Sequence, residues 1–402
     1  YNFQPENRAT LTHRGDNYTA AIQFNGRLND FYENVNRLPE LSLNVPRQEI
    51  LDSNFYYESD STASQLERVF PEDSEDEDYS SFRIDSRHMI YYPTRHFGFL
   101  NLIPRAGYRF TYYSETVSTD TKTNSVIVTD ENGVPVTNDM GLVSFTNVTS
   151  TTVNDDGTGV RNVVELGWEG SFKAFRTWDD FVFLADGDGI RHVVEPYLDH
   201  TYIPEPNLTP DELPQFDDVD TVDEQHNVKL GMRNKLQTRR DKVAVDVIDL
   251  DIYTFYNIEK PEGSEDFSDV FFDGDLRLVQ WMPIEFDGSY DTYESEFSTF
   301  NTQVGVQMED KSKLYLEYRY RRDNQSLVGT SLDLFPEDRW SFELGARYDM
   351  EEDELEEHYY MVKNRRECLS WGAGIRQVDD DLQVWFQVWL TAFPDVLMDM
   401  GY

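Results

Sequence analysis

The sequence predicts an all-β chain, an antiparallel up-and-down transmembrane β-barrel with roughly 18–20 strands in these residues. Three observations carry that prediction. The first is alternation with period two. Leu314, Leu316, Tyr318 and Tyr320 alternate with Lys313, Tyr315, Glu317 and Arg319, and Trp340, Phe342, Leu344, Ala346 and Tyr348 alternate with Ser341, Glu343, Gly345, Arg347 and Asp349. Leu382, Val384, Phe386, Val388, Leu390 and Ala392 share one side of a third segment, with Gln383, Gln387 and Thr391 on the other. Successive side chains of a strand point to opposite faces, so each segment has one apolar and one polar face. The second observation is turn chemistry between the segments, at Arg322-Asp323-Asn324, Phe335-Pro336-Glu337-Asp338 and Asp379-Asp380-Asp381. The third is that short and long connections alternate, as they do when tight turns lie at one rim of a barrel and loops project from the other. A soluble sandwich shares the first two features and has no reason to sort its loops.

In chain order, strand-like segments fall at 8–14, 18–27, 39–46, 53–70, 79–92, 97–114, 159–178, 189–203, 225–239, 243–257, 267–281, 284–291, 299–308, 313–321, 326–334, 339–349, 357–364, 368–378 and 382–393. That is nineteen, and bacterial single-chain barrels are even-numbered, so at least one further strand is expected upstream. Short links include Arg14-Gly15-Asp16-Asn17, Arg239-Arg240-Asp241-Lys242 and Asn364-Arg365-Arg366, and long ones 71–78, 115–158, 204–224, 258–266, 292–298 and 350–356. The longish link 179–188 stands where a short one is expected. No linker and no helical period interrupts the pattern, so residues 1–402 read as one barrel domain, with 115–158 as a long extracellular loop. Lys229, Arg233 and Lys235 on one strand face Asp246, Asp249 and Asp251 on the next, which suits cross-strand ion pairs. The alternation assigns Lys229, Arg233, Glu317, Glu343 and Arg347 to the lumen, and Leu314, Leu316, Trp340, Phe342, Leu344, Phe386 and Val388 to lipid.

Composition fits such a barrel. The 402 residues are 39% hydrophobic and mean hydropathy is −0.64, with no run of about 18 apolar residues to span as a helix. Only every second residue of a barrel strand meets lipid, so averages conceal a barrel. Aromatics reach 14%, led by 24 Tyr and 26 Phe, and Tyr and Trp settle at membrane interfaces. A net charge of −42 excludes nucleic acid as a main partner, because it repels phosphate. Acidic runs such as Pro71-Glu72-Asp73-Ser74-Glu75-Asp76-Glu77-Asp78 read as solvated loop with affinity for divalent cations at most. Cys368 is the single cysteine, so no internal disulfide can form. Tyr1-Asn2-Phe3-Gln4-Pro5 has no signal-peptide character, and export would require that an N-terminal part has been removed.

No catalytic, metal or cofactor site is expected. His192 and Glu195 have H-x-x-E spacing, but a three-residue offset on a strand puts them on opposite faces. Asp186-Gly187-Asp188-Gly189 lacks the downstream Glu of a calcium loop and reads as a tight turn. No nucleophile elbow, P-loop or dinucleotide glycine pattern occurs.

The segment Ile190-Arg191-His192-Val193-Val194-Glu195-Pro196-Tyr197, followed by His200-Thr201-Tyr202-Ile203-Pro204, resembles the lipopolysaccharide-assembly barrel family, the LptD or organic-solvent-tolerance proteins, in which an R-H-x-x-E-P strand start recurs. Arg191, His192, Glu195 and Pro196 carry the motif. Asp211 to Asp217, Gly231 to Asp241, Arg366-Glu367-Cys368-Leu369-Ser370-Trp371 and Leu390-Thr391-Ala392-Phe393-Pro394 are similar in the family's order, over roughly 160–394. The resemblance implies a bacterial outer-membrane barrel that transports lipopolysaccharide or a related glycolipid and releases it into the outer leaflet through a lateral gate. Leu382, Val384, Phe386, Val388 and Leu390 would form one side of that seam. It also implies outer-membrane lipid, a plug lipoprotein and a periplasmic bridge protein as partners. By the same resemblance, the family's N-terminal periplasmic domain, and with it the first barrel strands, are expected outside these residues, and Cys368 stands where the family has a cysteine pair. The alternatives are a porin-like diffusion channel and a soluble acidic glycan-binding β-sandwich.

Overall fold

A computed structural model of the chain describes residues 7–27, 33–71, 74, 76–127, 145–183, 187–260, 265–378, 381–391 and 397–401. Its backbone contacts divide the chain into two compact units. The first holds Tyr1–Arg95, Leu102–Glu169 and His200–His226; the second holds His96–Asn101, Gly170–Asp199 and Asn227–Tyr402. Twenty-two strands of one sheet run through the described residues, and the regular helical structure among them is a single 3-10 turn at Pro210–Glu212.

In the first unit β1 (Asn7–Arg14), β2 (Thr19–Gly26), β3 (Asn34–Glu49), β4 (Tyr56–Val69) and β5 (Tyr79–Tyr91) pair antiparallel in sequence order, and β5 pairs onward with β7 (Leu100–Ile127). The short β6 (Thr94–His96) continues β5. The Tyr92 N–H donates to Pro104 O at 3.0 Å and the Thr94 hydroxyl to Leu102 O at 3.0 Å, keeping the β5–β7 register past Pro93. Proline has no N–H for the ladder, which accounts for the break. β8 (Phe145–Ser171) follows.

In the second unit β9 (Ala174–Phe183) pairs with β10 (Gly187–Ile203) from Gly187↔Phe183 to Val194↔Ala174, and the Phe172 N–H donates to Pro196 O at 3.4 Å in the same register. β8 also pairs with β10, so β8 and β9 are one strand interrupted at Phe172-Lys173. From β12 (Val243–Glu259) the meander is continuous: β13 (Val270–Val279), β14 (Met282–Asp291), β15 (Glu296–Gln307), β16 (Lys313–Arg321), β17 (Gln325–Leu334), β18 (Trp340–Asp349), β19 (Glu354–Asn364), β20 (Leu369–Val378), β21 (Asp381–Leu390) and β22 (Leu397–Gly401) each pair antiparallel with the one before. β11 (Gln225–Arg240) precedes this run.

Every predicted segment is a strand, and three details differ. β9 and β10 are separated by residues 184–186 alone, so the link at 179–188 is short and the sorting of loops has no exception there. β7 and β8 run far into 115–158: that stretch is rich in Thr and Val, residues that favour extended backbone, and only 128–144 lies outside the described residues. β22 adds a strand beyond the predicted last one and pairs Trp385 to Trp389 with Gly401 to Leu397.

The distribution of polarity is the reverse of a soluble protein's. On β5 Ser81, Arg83, Asp85 and Met89 are buried while Phe82, Ile84 and Ile90 on the opposite face are exposed. On β16, β18 and β21 the exposed side chains include Leu316 (47%), Trp340, Phe342 and Phe386 (41%). Water-soluble domains bury such side chains and do not leave successive strands apolar outside and charged inside. A sandwich is ruled out on this ground, and an apolar solvent around the exposed face makes the arrangement favourable.

Candidate functional site

The polar faces of consecutive strands line up into ordered rows in each unit. In the second unit one row runs Asp249, Asp275, Glu285, Gln303, Glu317, Gly329, Arg347, Glu357, and the next Asp251, Asp273, Asp287, Asn301, Arg319. The acidic end of the rows sits on β12 to β14, and the balanced end on β16 to β20. There Arg347 reaches Glu357 at 3.1 Å and Glu317 at 3.6 Å, Arg376 meets Glu357 at 2.6 Å, and Lys363 meets Glu343 at 2.5 Å. Gly329 lies between Glu317 and Arg347. A Cβ on it would stand 2.5 Å from Glu317 Cγ, so only glycine leaves room for the pair to close across the intervening strand. A cavity of about 300 Å³ is lined by Glu285, Asp287, Asn301, Gln303, Glu317 and Arg319 among others.

At β10 to β12, Tyr197 is almost fully buried and its hydroxyl donates to Asp251 at 3.0 Å. Arg233 lies 4.5 Å from the centre of the Tyr197 ring, and Lys229 lies 3.5 Å from that of Tyr253. Gly231 permits this packing, because a Cβ there would fall 2.2 Å from Tyr197 Cζ. Cations over ring faces gain from the ring quadrupole, more so away from water.

In the first unit the polar face is covered from within by the chain itself. Residues 204–224 connect β10 to β11 and lie over β3, β4, β5, β7 and β8. Leu213 and Phe216 are buried, and Phe216 packs on Tyr79 at a ring distance of 5.3 Å. Arg83, buried on β5, holds Asp217 through two parallel bonds of 2.8 Å and reaches Asp220 at 2.8 Å. Arg37 adds a contact to Asp217 at 3.1 Å, and the Tyr113 hydroxyl donates to Asp220 at 2.8 Å. Arg161, with no exposed surface, donates to the carbonyls of Val219, Asp220 (3.0 Å) and Val222 (3.3 Å). Gln215 O accepts from Arg68 and from the Tyr79 hydroxyl, each at 2.6 Å. Asp220 in turn accepts from the N–H groups of Phe216 (2.8 Å) and Asp217 (3.1 Å), which folds the segment into a compact turn. Burial alone would raise the Asp217 pKa, but bonding to Arg83 and its charge, with the Val219 N–H and Arg37, outweigh it and bring the carboxyl down to about 2. Below this cluster Arg109 and Thr111 bind Asp85 at 2.8 Å, and Arg87 and Arg105 share Glu165 at 3.0 and 3.2 Å.

The residues selected from the sequence distribute as follows. Glu317, Glu343 and Arg347 share one polar face and join its ion pairs, and Lys229 and Arg233 flank Tyr197. Leu382, Val384, Phe386 and Leu390 are exposed on one face of β21, with Val388 half-buried among them. Arg191 lies over the Phe175 ring at 4.6 Å, His192 is opposite Arg176 in the ladder, Glu195 pairs with Lys173 at 3.3 Å, and Pro196 O accepts from Phe172. The motif therefore splices β10 onto the β8–β9 strand. Asp186 lies outside the described residues. Cys368 is exposed and free. The docked segment was missed, since 204–224 reads as an acidic loop; the pairing of its Asp217 and Asp220 with arginines more than a hundred residues away has no local signal.

An antiparallel meander with charged rows on one face and exposed Leu, Phe and Trp on the other defines an outer-membrane β-barrel protein. The chain belongs to the LptD family, LPS transport system D, whose model matches residues 6–350. It is thus a member of a lipopolysaccharide-transport family of the bacterial outer membrane. No curated protein sequence matches it. Among solved structures, the siderophore receptor PirA from Acinetobacter baumannii is similar at a TM-score of 0.44 and 8% identity, over 98% of this chain and 69% of that one, a likeness that carries no argument here.

Proposed function

We propose that the chain conducts lipopolysaccharide or a related glycolipid through its charged interior and releases it into the outer leaflet through a lateral gate. The observation that carries this reading is the inverted polarity of a chain in a lipopolysaccharide-transport family: lipid outside, ion-paired rows inside. Lys229, Arg233, Glu317, Glu343 and Arg347 then line the lumen, where mixed charge suits a headgroup with phosphate and sugar. The C-terminal strands border the seam. With β22 on β21, that side of the gate is the five-residue ladder of Leu397–Gly401, far shorter than β21 itself and correspondingly easier to part. The apolar face of Leu382, Val384, Phe386, Val388 and Leu390 would receive the acyl chains as they leave. A plug lipoprotein within the barrel and a periplasmic bridge protein that delivers the lipid complete the assembly, and no catalysis is assigned to it.

Depletion of the protein should remove glycolipid from the cell surface while the inner-membrane pool accumulates. Unchanged surface glycolipid, together with steady ion conductance in planar bilayers, would instead identify a porin. Cysteine pairs tying residues 397–401, which cover the edge of β21, to the first strand of the barrel should block export and leave the barrel folded; undiminished export through the tied seam would rule out the gate.

A further inference from the structure

We propose that Arg37, Arg68, Arg83 and Arg161 form a phosphate-binding site whose resident occupant is the chain's own segment 204–224, a strap that a phosphate group displaces. The inference rests on the transport reading only in naming a glycolipid headgroup as the source of that phosphate.

Three features point to an anion site rather than to a permanently closed loop. Among the described residues, every hydrogen bond between residues 215–222 and the strands beneath is donated by the strands: Arg37, Arg68, Tyr79, Arg83, Tyr113 and Arg161 give, and carboxylates or carbonyls of the strap accept. These donors do not require this particular chain segment, and any group rich in acceptor oxygens satisfies them, although Arg37 and Arg68 also pair with Glu40 and Glu33 beside the strap. Second, the strap satisfies it incompletely. The Nε–H groups of Arg83 and Arg161 have no hydrogen-bond partner among the described residues, although the two side chains are 3% and 0% exposed. A planar carboxylate offers two oxygens in one plane, whereas a tetrahedral phosphate monoester offers three and a charge near −2. Third, the fork-to-fork geometry of Arg83 on Asp217 is that by which guanidinium reads phosphate.

The site also explains how the strap can leave. Withdrawing Asp217 and Asp220 from a buried Arg83 with nothing in return would strand an uncompensated charge. Exchange of one anion for another avoids that penalty, so phosphate acts as the displacing group and the strap's carboxylates hold the site closed in its absence. Repulsion between the acidic strap and an incoming anion makes the two mutually exclusive.

The test uses the full-length protein with its native partners in detergent and follows amide hydrogen exchange across 213–222. The probes are a bisphosphorylated disaccharide glycolipid, the same lipid after enzymatic dephosphorylation, and inorganic phosphate. The bisphosphorylated lipid should speed exchange at Phe216 and Asp217 by tenfold or more, and the dephosphorylated lipid should not. If inorganic phosphate alone has the same effect, the ligand is the free anion; if it does not, the phosphate must be lipid-borne. R83Q should shift the dose response to at least tenfold higher probe, and R83K should restore part of it. Because R83Q removes a buried cation and can unfold the region, R37Q at a partly exposed position provides the milder variant, with a shift in the same direction. Exchange that stays unchanged or slows with all three probes, or that responds equally to the dephosphorylated lipid, overturns the site. Loss of the transport reading leaves a separate signature, in which depletion spares surface glycolipid while inorganic phosphate still releases the strap.

Discussion

Replacing Asp217 by Asn isolates the electrostatic hold on the strap. The carboxyl's pKa falls from 3.8 to about 2 in the folded protein, a depression that corresponds to roughly 2 kcal/mol. The folded pKa is the depressed one, so this contribution is complete above about pH 4, where the unfolded group is also ionised, and is lost as pH falls through about 2. Asp217 is about a quarter exposed, so most of the gain survives solvent screening. D217N keeps an oxygen for Arg83 and loses the charge, so at pH 7 it should open the strap at least about tenfold more often. Amide exchange of residues 213–222 at neutral pH reads this directly. In the wild type, pepsin should cut at Leu213 or Phe216 slowly at pH 4 and faster as pH drops towards 2. Exchange in D217N within threefold of wild type would refute the assignment of the low pKa to a structural contact with Arg83.

The two faces of β16 should differ in tolerance: Leu316→Arg should destabilise the protein by about 2–4 kcal/mol in urea unfolding from lipid vesicles, and Glu317→Gln by about 1 kcal/mol or less. Equal losses on both faces would contradict the assignment of lipid to the exposed side. Gly231→Val should cost about 1–3 kcal/mol by pushing the Tyr197 ring off Arg233, and Tyr197→Ala in the same chain should recover most of that loss in a double-mutant cycle, since the three atoms nearest to an added Cβ all belong to that side chain.

The sequence by itself determined the strands and their faces. Side-chain alternation is a property of extended backbone at each residue, so Leu314 to Tyr320 or Leu382 to Leu390 disclose their two faces without any knowledge of neighbours. Turn residues disclosed where strands reverse, and the order of short motifs from Arg191 to Tyr197 and Gly231 to Asp241 disclosed the family. Where the reading failed, the deciding forces were not local. Thr- and Val-rich residues on either side of 128–144 have no apolar alternation and become strand because the ladder satisfies their backbone groups. β22 exists through its backbone pairing with Trp385 to Trp389. The ion-paired row from Glu317 to Arg347 depends on Gly329 being brought between them by register, which no window of sequence reports. Above all, the acidic run 204–224 looks like any solvated loop until tertiary structure places Asp217 and Asp220 against Arg83, Arg37 and Tyr113, because the energy of a buried ion pair resides in the distance between charges and not in the order of residues along the chain.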